Sequence, residues 1–446
     1  MSLGATEARR KAVHVGMAAF ALLLRWLDWK AAALCALAAF AFNALALPRL
    51  GGEALHREED RRRGFPVGIL LYPLAVLALV LLFRSRLELA AAGWAYLAFG
   101  DGCATLVGAG LGGPRLPWNR GKSWAGLAGY VLFGFGAAAF LFGWVRGSAP
   151  SPRELVALAL GALAGALVET LPSELDDNLA APLAATAALA IGLDVLGSAA
   201  APALPAPRVA ILALGVNAAV AAAALALRVV RRSGAVAGGL YGTVVLALGG
   251  WPAYALLWLF FGAGTLLTHA GKRRKEALGK AEEAGGRRGA ANVLANVTVP
   301  ALLVAASALA GPASSRGYLL AAAAAFATAL MDTVGTEVGQ AVRTPTVLLP
   351  DLKRVPAGTD GAVSVAGTAA GLLGAALLGA AAAALFGWPP AAVAVVVAAA
   401  TLGTVAESLL GRDSAPWRVT DGHVLNFYNT AIGAAAAHAL APLAFR

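Results

Sequence analysis

Long apolar segments separated by short polar ones follow each other along the whole chain. Apolar runs of about 17–25 residues match the thickness of a bilayer core. Alanine dominates these runs and they show no alternation of period two, so the pattern favours helices over the strands of a barrel. It predicts an all-α polytopic membrane protein with about fifteen transmembrane helices. The predicted spans are 12–27, 30–47, 66–83, 87–112, 125–145, 153–172, 179–198, 208–228, 235–249, 252–270, 292–311, 317–341, 362–387, 389–410 and 423–444.

A segment rich in proline and small residues, GSAAAPALPAP at 197–207, divides the chain near its midpoint. Seven predicted spans precede it. If span 208–228 is a connecting helix, each half keeps seven spans and enters the membrane in the same direction. The pattern therefore predicts two parallel seven-helix repeats, a membrane domain at 1–198 and another at 233–446, joined by a linker and connecting helix at 199–232.

Composition and charge agree with this picture and orient it. The chain has 446 residues, of which 59% are hydrophobic and 13% charged, against about 25% charged in soluble domains. Its net charge is +11, and most of the Lys and Arg fall on one side of the predicted topology. The positive-inside rule then places the N-terminus and all the polar motif loops in the cytoplasm. We expect the inner (cytoplasmic) membrane of a bacterium, because no transit peptide or removable signal precedes the first span, and we expect no nucleic-acid partner.

One series of polar motifs appears twice. The first copy reads FGDGCATLVG, GKSWAGLAG and ALVETLPSELDDN, and the second reads LMDTVGTEVG, GTDGAVSVAG, TVAESLLG and VLNFYN. Lys122 and Glu169 are 47 positions apart, as are Asp360 and Glu407. Polar groups inside a membrane are costly and usually functional, so the duplication predicts two similar sites.

In the first copy, Asp101 lies between two glycines inside a predicted span. We interpret it as a ligand of a metal or phosphate, with a helix-packing role as the alternative. Lys122 follows Gly121, but the spacing of the preceding glycines excludes a P-loop. What the segment offers is positive charge and free N–H groups for an anion, with Arg120 and Ser123 beside Lys122.

Glu169 is followed by Asp176, Asp177 and Asn178. Carboxylates opposite a basic loop are typical of a site for Mg²⁺ and phosphate. The alternative is that Asp177 or Asn178 only caps the next helix.

The second copy offers a looser set of polar residues. It has no lysine at the position that matches Lys122, and Lys353 and Arg354 are the nearby basic residues. Asp332 and Glu337 are about 140° apart on a helix, so both can border one cavity. The candidates are Asp332, Glu337, Gly358, Thr359, Asp360, Ser364, Glu407 and Asn426.

The first half resembles the integral-membrane polyprenol kinases, which include phytol kinase and dolichol kinase. The matching residues are Arg10, Lys11 and His14 in R-K-x-x-H, Asp101 in its G-D motif, Lys122-Ser123-x-x-Gly126, and Glu169 with Asp176, Asp177 and Asn178. The resemblance implies phosphoryl transfer from CTP to an isoprenoid alcohol with a divalent metal, Mg²⁺. The first half resembles more distantly the cytidylyltransferase that makes CDP-diacylglycerol.

The second half resembles the phytyl-phosphate kinases, which include transmembrane-protein-19-like proteins. The matching residues are the glycines near Gly238, the basic loop ending in Arg287-Arg288, Asn292 and Asn296, and the motifs D-T-x-x-T-E-x-G from Asp332 and G-T-D-G-x-V-S from Gly358. This resemblance implies the addition of a second phosphate to an isoprenyl monophosphate.

Together the halves predict a fusion of two consecutive isoprenoid kinases acting on substrates dissolved in the membrane lipid. Asp101, Asp176 and Asp177 would hold Mg²⁺ and nucleotide in the first site, and Asp332 in the second. Lys122 and Glu169 are the other catalytic candidates of the first site, and Glu337 and Glu407 of the second. The nucleotide- and phosphate-binding candidates are Arg10, Lys11, His14, Arg120, Ser123, Asn178, Arg287, Asn296, Gly358, Thr359, Asp360, Ser364 and Asn426.

Two other functions remain open at this point. A secondary transporter of an anionic lipid or organic anion would use similar acidic, glycine-broken spans. A CTP-dependent cytidylyltransferase would use similar phosphate and metal ligands. The sequence leaves the identity of the alcohol and the oligomeric state undetermined.

Overall fold

The computed structural model describes residues 5–50, 67–171, 176–198, 204–270, 288–342, 344–412 and 419–445. Helices account for nearly all of them, and the chain forms two compact units, Met1–Gly197 and Ser198–Arg446. Nine helices in the described part of the chain are long and apolar enough to cross a membrane. The protein is therefore an all-α, multi-pass integral membrane protein, as the hydrophobic pattern predicts.

The described residues of the first unit form eight α-helices. A 3₁₀ segment, Met17–Arg25, continues the first helix, and a π-helical turn, Tyr96–Asp101, joins the fourth to the fifth. The helices are α1 Ala5–Gly16, α2 Trp29–Ala41, α3 Val67–Leu82, α4 Leu87–Ala95, α5 Gly102–Leu111, α6 Trp124–Arg146, α7 Pro152–Thr170 and α8 Asp177–Gly197.

The described residues of the second unit form seven labelled α-helices, one of them broken at Gly250, and a small sheet. Its most buried helix is α12, which packs against five others and carries Asp332 near its C-terminal end. The helices are α9 Pro207–Ala226, α10 Arg232–Ala270, α11 Ala290–Leu309, α12 Pro312–Ala341, α13 Val365–Phe386, α14 Pro390–Leu410 and α15 Gly422–Ala444.

Helices lie at the predicted spans, with one difference in the second unit. Predicted spans 235–249 and 252–270 share the label α10 but are two helices, because the backbone leaves the helical region at Gly250, where φ is 66° and ψ is −170°. Pro252 follows, and proline is common in the first turn of a helix. The predicted connecting helix, α9, packs against α10, and the Tyr254 hydroxyl donates to Asn217 Oδ1 at 2.9 Å. The second unit thus begins at Ser198 and includes this helix.

A three-stranded antiparallel sheet precedes α13 and was absent from the prediction. Its order is β2–β1–β3, with β1 Thr346–Leu348 in the middle, β2 Lys353–Arg354 and β3 Ala362–Ser364. Strands of two or three residues are too short to show an alternating pattern. The sheet brings Ser364 to the start of α13.

Serine caps start equivalent helices in the two units. The Ser123 hydroxyl accepts a hydrogen bond from Gly126 N at 3.1 Å, and the Ser364 hydroxyl accepts one from Gly367 N at 3.1 Å. Side-chain caps of this kind satisfy an N–H that the helix leaves unpaired. The helices that follow, α6 and α13, have 23 and 22 residues.

In each unit, the helix that precedes the capping serine packs against that serine at a glycine. A Cβ added to Gly108 would lie 3.1 Å from Ser123 Oγ, and one added to Gly339 would lie 2.8 Å from Ser364 Oγ. Gly108 is seven residues after Asp101, and Gly339 is seven residues after Asp332. The two aspartates therefore hold corresponding places in their units.

Candidate active sites

Asp101 is buried at the end of the π-helical turn and is held by two basic side chains of α1. Lys11 Nζ donates to Asp101 Oδ2 at 2.7 Å, and His14 Nε2 lies 3.3 Å from the same oxygen. Residues three apart on a helix share a face, which explains why the R-K-x-x-H motif brings Lys11 and His14 to one carboxylate. Arg10, the first residue of that motif, is half-buried.

The loop between α5 and α6 is fixed on the C-terminal end of α7. Asn119 Nδ2 donates to Thr170 O at 3.1 Å, and Trp118 Nε1 donates to Thr170 Oγ1 at 3.3 Å. Within the loop, Leu116 N donates to Lys122 O at 3.0 Å. These bonds turn Lys122 toward the end of α7, whereas Arg120 is exposed.

Lys122 forms ion pairs with two carboxylates. Its Nζ donates to Glu169 Oε1 and, at 3.1 Å, to Asp177 Oδ2. Burial alone would lower the pKa of the Lys122 ammonium, but Asp177 and Glu169 outweigh burial and raise this pKa above its ordinary value. Lys122 therefore keeps its positive charge at neutral pH.

The two ion-paired groups of the first unit lie within electrostatic reach of each other. The charge of Lys122 acts on Asp101, and that of Lys11 acts on Glu169. The structure thus gathers Lys11, Asp101, Lys122 and Glu169 into one charged region. Such a region can bind and neutralise phosphate oxygens while keeping carboxylates nearby as proton acceptors.

Asp176 caps the start of α8. Its Oδ1 accepts a hydrogen bond from Asn178 N at 2.9 Å, so the capping role falls on Asp176 and not on Asp177 or Asn178. The Asn178 side chain is buried. Its amide and the Asp176 carboxylate both lie close to Gly68 of α3.

The second unit contains a cavity of about 600 Å³. Three carboxylates line it, and seven of the predicted residues face it. These are Asp332, Gly358, Thr359, Asp360, Ser364, Glu407 and Asn426. The volume is within the range of small-molecule sites in proteins.

The loop that closes one side of this cavity depends on glycine. Gly358 and Gly361 have φ values of 88° and 74°, a region that residues with a Cβ rarely adopt. A Cβ on Gly361 would also lie 2.6 Å from Ser408 O at the end of α14. The loop can therefore reach the Glu407 end of α14 only with glycine at this position.

Two carboxyl groups of the second unit line the same cavity, Asp332 from α12 and Glu407 from α14. Asn429 Nδ2 donates to Glu407 Oε2 from α15. Asn429 was not predicted; it lies one helical turn after Asn426 of the VLNFYN motif, which itself lines the cavity.

No Lys or Arg is among the described residues that line the 600 Å³ cavity. Lys353 and Arg354, which the sequence suggested as its source of positive charge, are exposed on β2. The carboxylates of this cavity therefore differ from those of the first unit, which have lysine partners.

Three predicted residues do not belong to this cavity as the structure describes it. Glu337 is buried on α12 but does not line the cavity. Asn296 is buried on α11, where its Nδ2 donates to Asn292 O at 3.0 Å. Arg287 lies outside the described residues.

The residues predicted to hold Mg²⁺ differ in how well they fit it. Within the described ranges, no group of three or more His, Cys, Asp and Glu is placed to hold a metal ion. Mg²⁺ commonly uses one or two carboxylates and completes its shell with substrate phosphates and water. Asp332 and Glu407 fit that arrangement, whereas Asp101 and Asp177 are already paired with lysines.

Comparison with known proteins assigns the family. The model of the family "Integral membrane protein DUF92" matches residues 215–414. The uncharacterized membrane protein sll0875 of Synechocystis is 37% identical over 204 residues, which are 44% of this chain and 76% of that protein. The chain belongs to the DUF92 family.

Two plant proteins are also similar to this DUF92 protein. VTE6, a chloroplast protein of Arabidopsis thaliana, is 32% identical over 45% of this chain and 62% of its own length. A probable phytol kinase from the chloroplast of Triticum aestivum is 34% identical over 28% of this chain and 44% of its own length. The DUF92 protein thus spans less than two thirds of each of these two plant proteins. No solved structure matches it significantly.

Proposed function

We propose that this DUF92 protein is a membrane isoprenoid kinase with two active sites. The first unit would transfer a phosphoryl group from CTP to an isoprenoid alcohol, and the second would phosphorylate the resulting monophosphate. The observation that carries the proposal is the pair of equivalent aspartates, Asp101 and Asp332. Each lies in the same region of its unit as a buried glutamate, Glu169 or Glu407. Among the described residues, these carboxylates have lysine partners in the first unit only. The similarity to a probable phytol kinase supports the same chemistry.

The difference between the two sites fits the difference between their proposed substrates. An alcohol must lose a proton as it attacks phosphorus, and Glu169 or Asp101 would accept it. Lys122, which stays charged, would stabilise the negative charge that develops on the transferred group. A phosphate monoester is already ionised, so the second site needs no base.

The second site would rely on its carboxylates for a different purpose. Asp332 and Glu407 would hold Mg²⁺, which neutralises charge on the nucleotide phosphates when it is bound. The Gly358–Thr359 turn and Asp360 would contact the nucleotide, because they line the same cavity. In the first unit a metal would have to compete with Lys11 and Lys122 for Asp101 and Asp177.

Joining both steps in one chain has a kinetic advantage. The monophosphate is amphiphilic and stays in the bilayer, so a tethered second site meets it at a raised effective concentration. The distribution of Lys and Arg supports a cytoplasmic location for both sites, where CTP is available.

The test uses purified protein in detergent with CTP labelled at the γ-phosphate, Mg²⁺ and phytol. We expect label in the lipid extract as phytyl monophosphate and phytyl diphosphate. An unlabelled lipid product that carries CMP, detected by mass spectrometry, with the label released as pyrophosphate, would instead indicate a cytidylyltransferase. Absence of any labelled lipid, together with uptake of an organic anion by proteoliposomes, would support a transporter and overturn the proposal.

A further inference from the structure

The second unit has a further cavity, separate from the acidic one, between α9, α10 and α11. Its volume is about 100 Å³. The kink at Gly250 divides α10 into two parts, and both parts line the cavity, from Gly234 to Gly242 on one side and from Tyr254 to Phe261 on the other. We call it the α10 groove. The eight helical steps from Gly234 to Gly242 give it a length of about 12 Å.

The polar groups at one end of the α10 groove, Asn217 and Tyr254, form hydrogen bonds within the protein. Asn217 Nδ2 donates to Ala213 O at 2.9 Å, and the Tyr254 hydroxyl donates to Asn217 Oδ1 at 2.9 Å. These groups do not require a polar ligand. The remaining wall is formed largely by glycine, alanine, valine and aromatic residues, which suit a hydrocarbon.

The other end of the α10 groove, at Arg288, carries a positive charge. The Arg288 guanidinium lies 5.8 Å from the ring centre of Phe260 and 5.4 Å from that of Phe261. Its main chain is fixed, because Arg288 O accepts a hydrogen bond from Arg231 N at 3.0 Å. Cation–π contacts of this kind hold an arginine at the edge of an apolar surface.

Arg288 also lies next to the helix that carries Asp332. A Cβ added to Gly264 would be 2.6 Å from Arg288 Nη2 and 3.5 Å from the methyl group of Thr333. Thr333 follows Asp332 in α12, and Asp332 lines the acidic cavity. The Arg288 guanidinium is thus close to α12 at Thr333, the residue after Asp332, and the acidic cavity has no Lys or Arg among its described lining residues.

We propose that the α10 groove binds the hydrocarbon chain of an isoprenyl monophosphate and that Arg288 binds its phosphate. This inference rests on the proposed function of the second unit, for which it supplies the acceptor site. An apolar groove about 12 Å long with one cation at its mouth complements an anionic head group and the first isoprene units of its apolar chain. A phosphate oxygen held at Arg288 would face the acidic cavity and attack the γ-phosphorus of the nucleotide. The bond from that phosphorus to the β-phosphate oxygen breaks, which yields the isoprenyl diphosphate and a nucleoside diphosphate.

Glycines of α10 allow a matched test. A Cβ at Gly238, which lines the groove, meets no atom within 4 Å, and the same is true of Gly262, which lies on the same helix outside the groove. Gly238→Leu therefore fills the groove without a backbone clash, and Gly262→Leu is its control. The substrates are geranylgeranyl monophosphate, with a long chain, and dimethylallyl monophosphate, with a short one.

We expect Gly238→Leu to raise the KM for geranylgeranyl monophosphate at least tenfold and to leave the KM for dimethylallyl monophosphate unchanged. Gly262→Leu should keep both KM values near those of the wild type. Arg288→Gln should raise both KM values, because it removes a contact to the phosphate, and Arg288→Lys should restore part of the loss. A KM for geranylgeranyl monophosphate within twofold of the wild type in Gly238→Leu would overturn the inference.

Binding without nucleotide separates this inference from the proposed function. We expect geranylgeranyl monophosphate to raise the melting temperature of the wild type but not that of Gly238→Leu. If this pattern is found and no nucleotide supports phosphorylation, the groove assignment stands and the kinase proposal fails. If phosphorylation occurs and neither variant affects it, the kinase proposal stands and the groove assignment fails. Equal protection by phosphatidic acid would identify the groove as a general lipid site and would also contradict the inference.

Discussion

Tyr130 packs its ring directly on the backbone of Gly100, the residue before Asp101. A Cβ at Gly100 would lie 2.7 Å from Tyr130 Cζ. In the second unit the large residue is on the other helix: Met331, the residue before Asp332, packs against Gly371. A Cβ at Gly371 would lie 2.8 Å from Met331 O and 3.1 Å from its Cγ. Tyr130 and Gly371 each follow their capping serine by seven residues. At this helix crossing, the large side chain thus comes from the capped helix in the first unit, α6, and from the preceding helix in the second, α12.

This crossing predicts that alanine at Gly100 destabilises the protein. The added methyl overlaps a fully buried ring, and overpacking of this kind typically costs about 1–3 kcal/mol. Thermal unfolding of the purified protein should show a lower melting temperature for Gly100→Ala. The matched control is Gly136→Ala in α6, where a Cβ meets no atom within 4 Å. Equal melting temperatures for the two variants would contradict the contact.

Two buried tyrosines of the first unit predict opposite effects of losing a hydroxyl. Tyr96 Oη donates to Leu158 O at 2.7 Å, whereas Tyr130 Oη is buried without a hydrogen-bond partner in the structure. Tyr96→Phe should lower stability by about 1–3 kcal/mol because it leaves Leu158 O without this donor. Tyr130→Phe should leave the melting temperature unchanged or raise it. A loss in Tyr130→Phe as large as that in Tyr96→Phe would show that the Tyr130 hydroxyl has a partner.

The ion pair between Lys122 and Glu169 predicts a strong coupling between their substitutions. Lys122→Met leaves the buried Glu169 carboxylate without its ammonium, which we expect to cost about 1–3 kcal/mol once the partial exposure of Lys122 is allowed for. Adding Glu169→Gln should restore much of the loss, because the buried charge is then removed. A double-mutant cycle measures this coupling. Additive losses would mean that the two side chains do not interact.

The raised pKa of Lys122 predicts a specific pH dependence for the first step. An ordinary lysine titrates near about pH 10.4, and neighbouring carboxylates move Lys122 upward. A raised pKa keeps the Lys122 ammonium charged to higher pH. As the pH is raised to about 10, the rate of monophosphate formation should therefore not decline through loss of this charge. The pH–rate profile with phytol measures it. An alkaline inflection near about pH 8–9 that Lys122→Arg moves upward would contradict the prediction.

The sequence predicts the structure correctly where a pattern extends over many residues. Apolar runs of about twenty residues have few alternatives to membrane helices, and the predicted segments agree with the helices. The motif residues Lys11, His14 and Asp101 also meet in the structure, because a fixed spacing on a helix determines which side chains share a face.

The signal was insufficient where packing decides between nearby positions. The offset between Glu169 and Glu407 would align Gly129 with Gly367, whereas the capping contacts align Gly126 with Gly367. The two copies differ by three residues between the serine cap and the glutamate, so no single offset aligns both features. The contact of Asn429 with Glu407 and the position of Arg288 beside α12 likewise depend on how helices are rotated against each other.

The central claim is that each unit carries out its own phosphoryl transfer. The most direct measurement compares the labelled products of Asp101→Asn and Asp332→Asn after incubation with phytol, CTP and Mg²⁺, and again with added phytyl monophosphate. The account predicts that Asp101→Asn makes no monophosphate from phytol but still converts added monophosphate to diphosphate, which also shows that the variant is folded. It predicts that Asp332→Asn accumulates monophosphate and makes no diphosphate. If either single substitution abolishes both steps in a protein that keeps its wild-type melting temperature, the claim of two independent sites is contradicted.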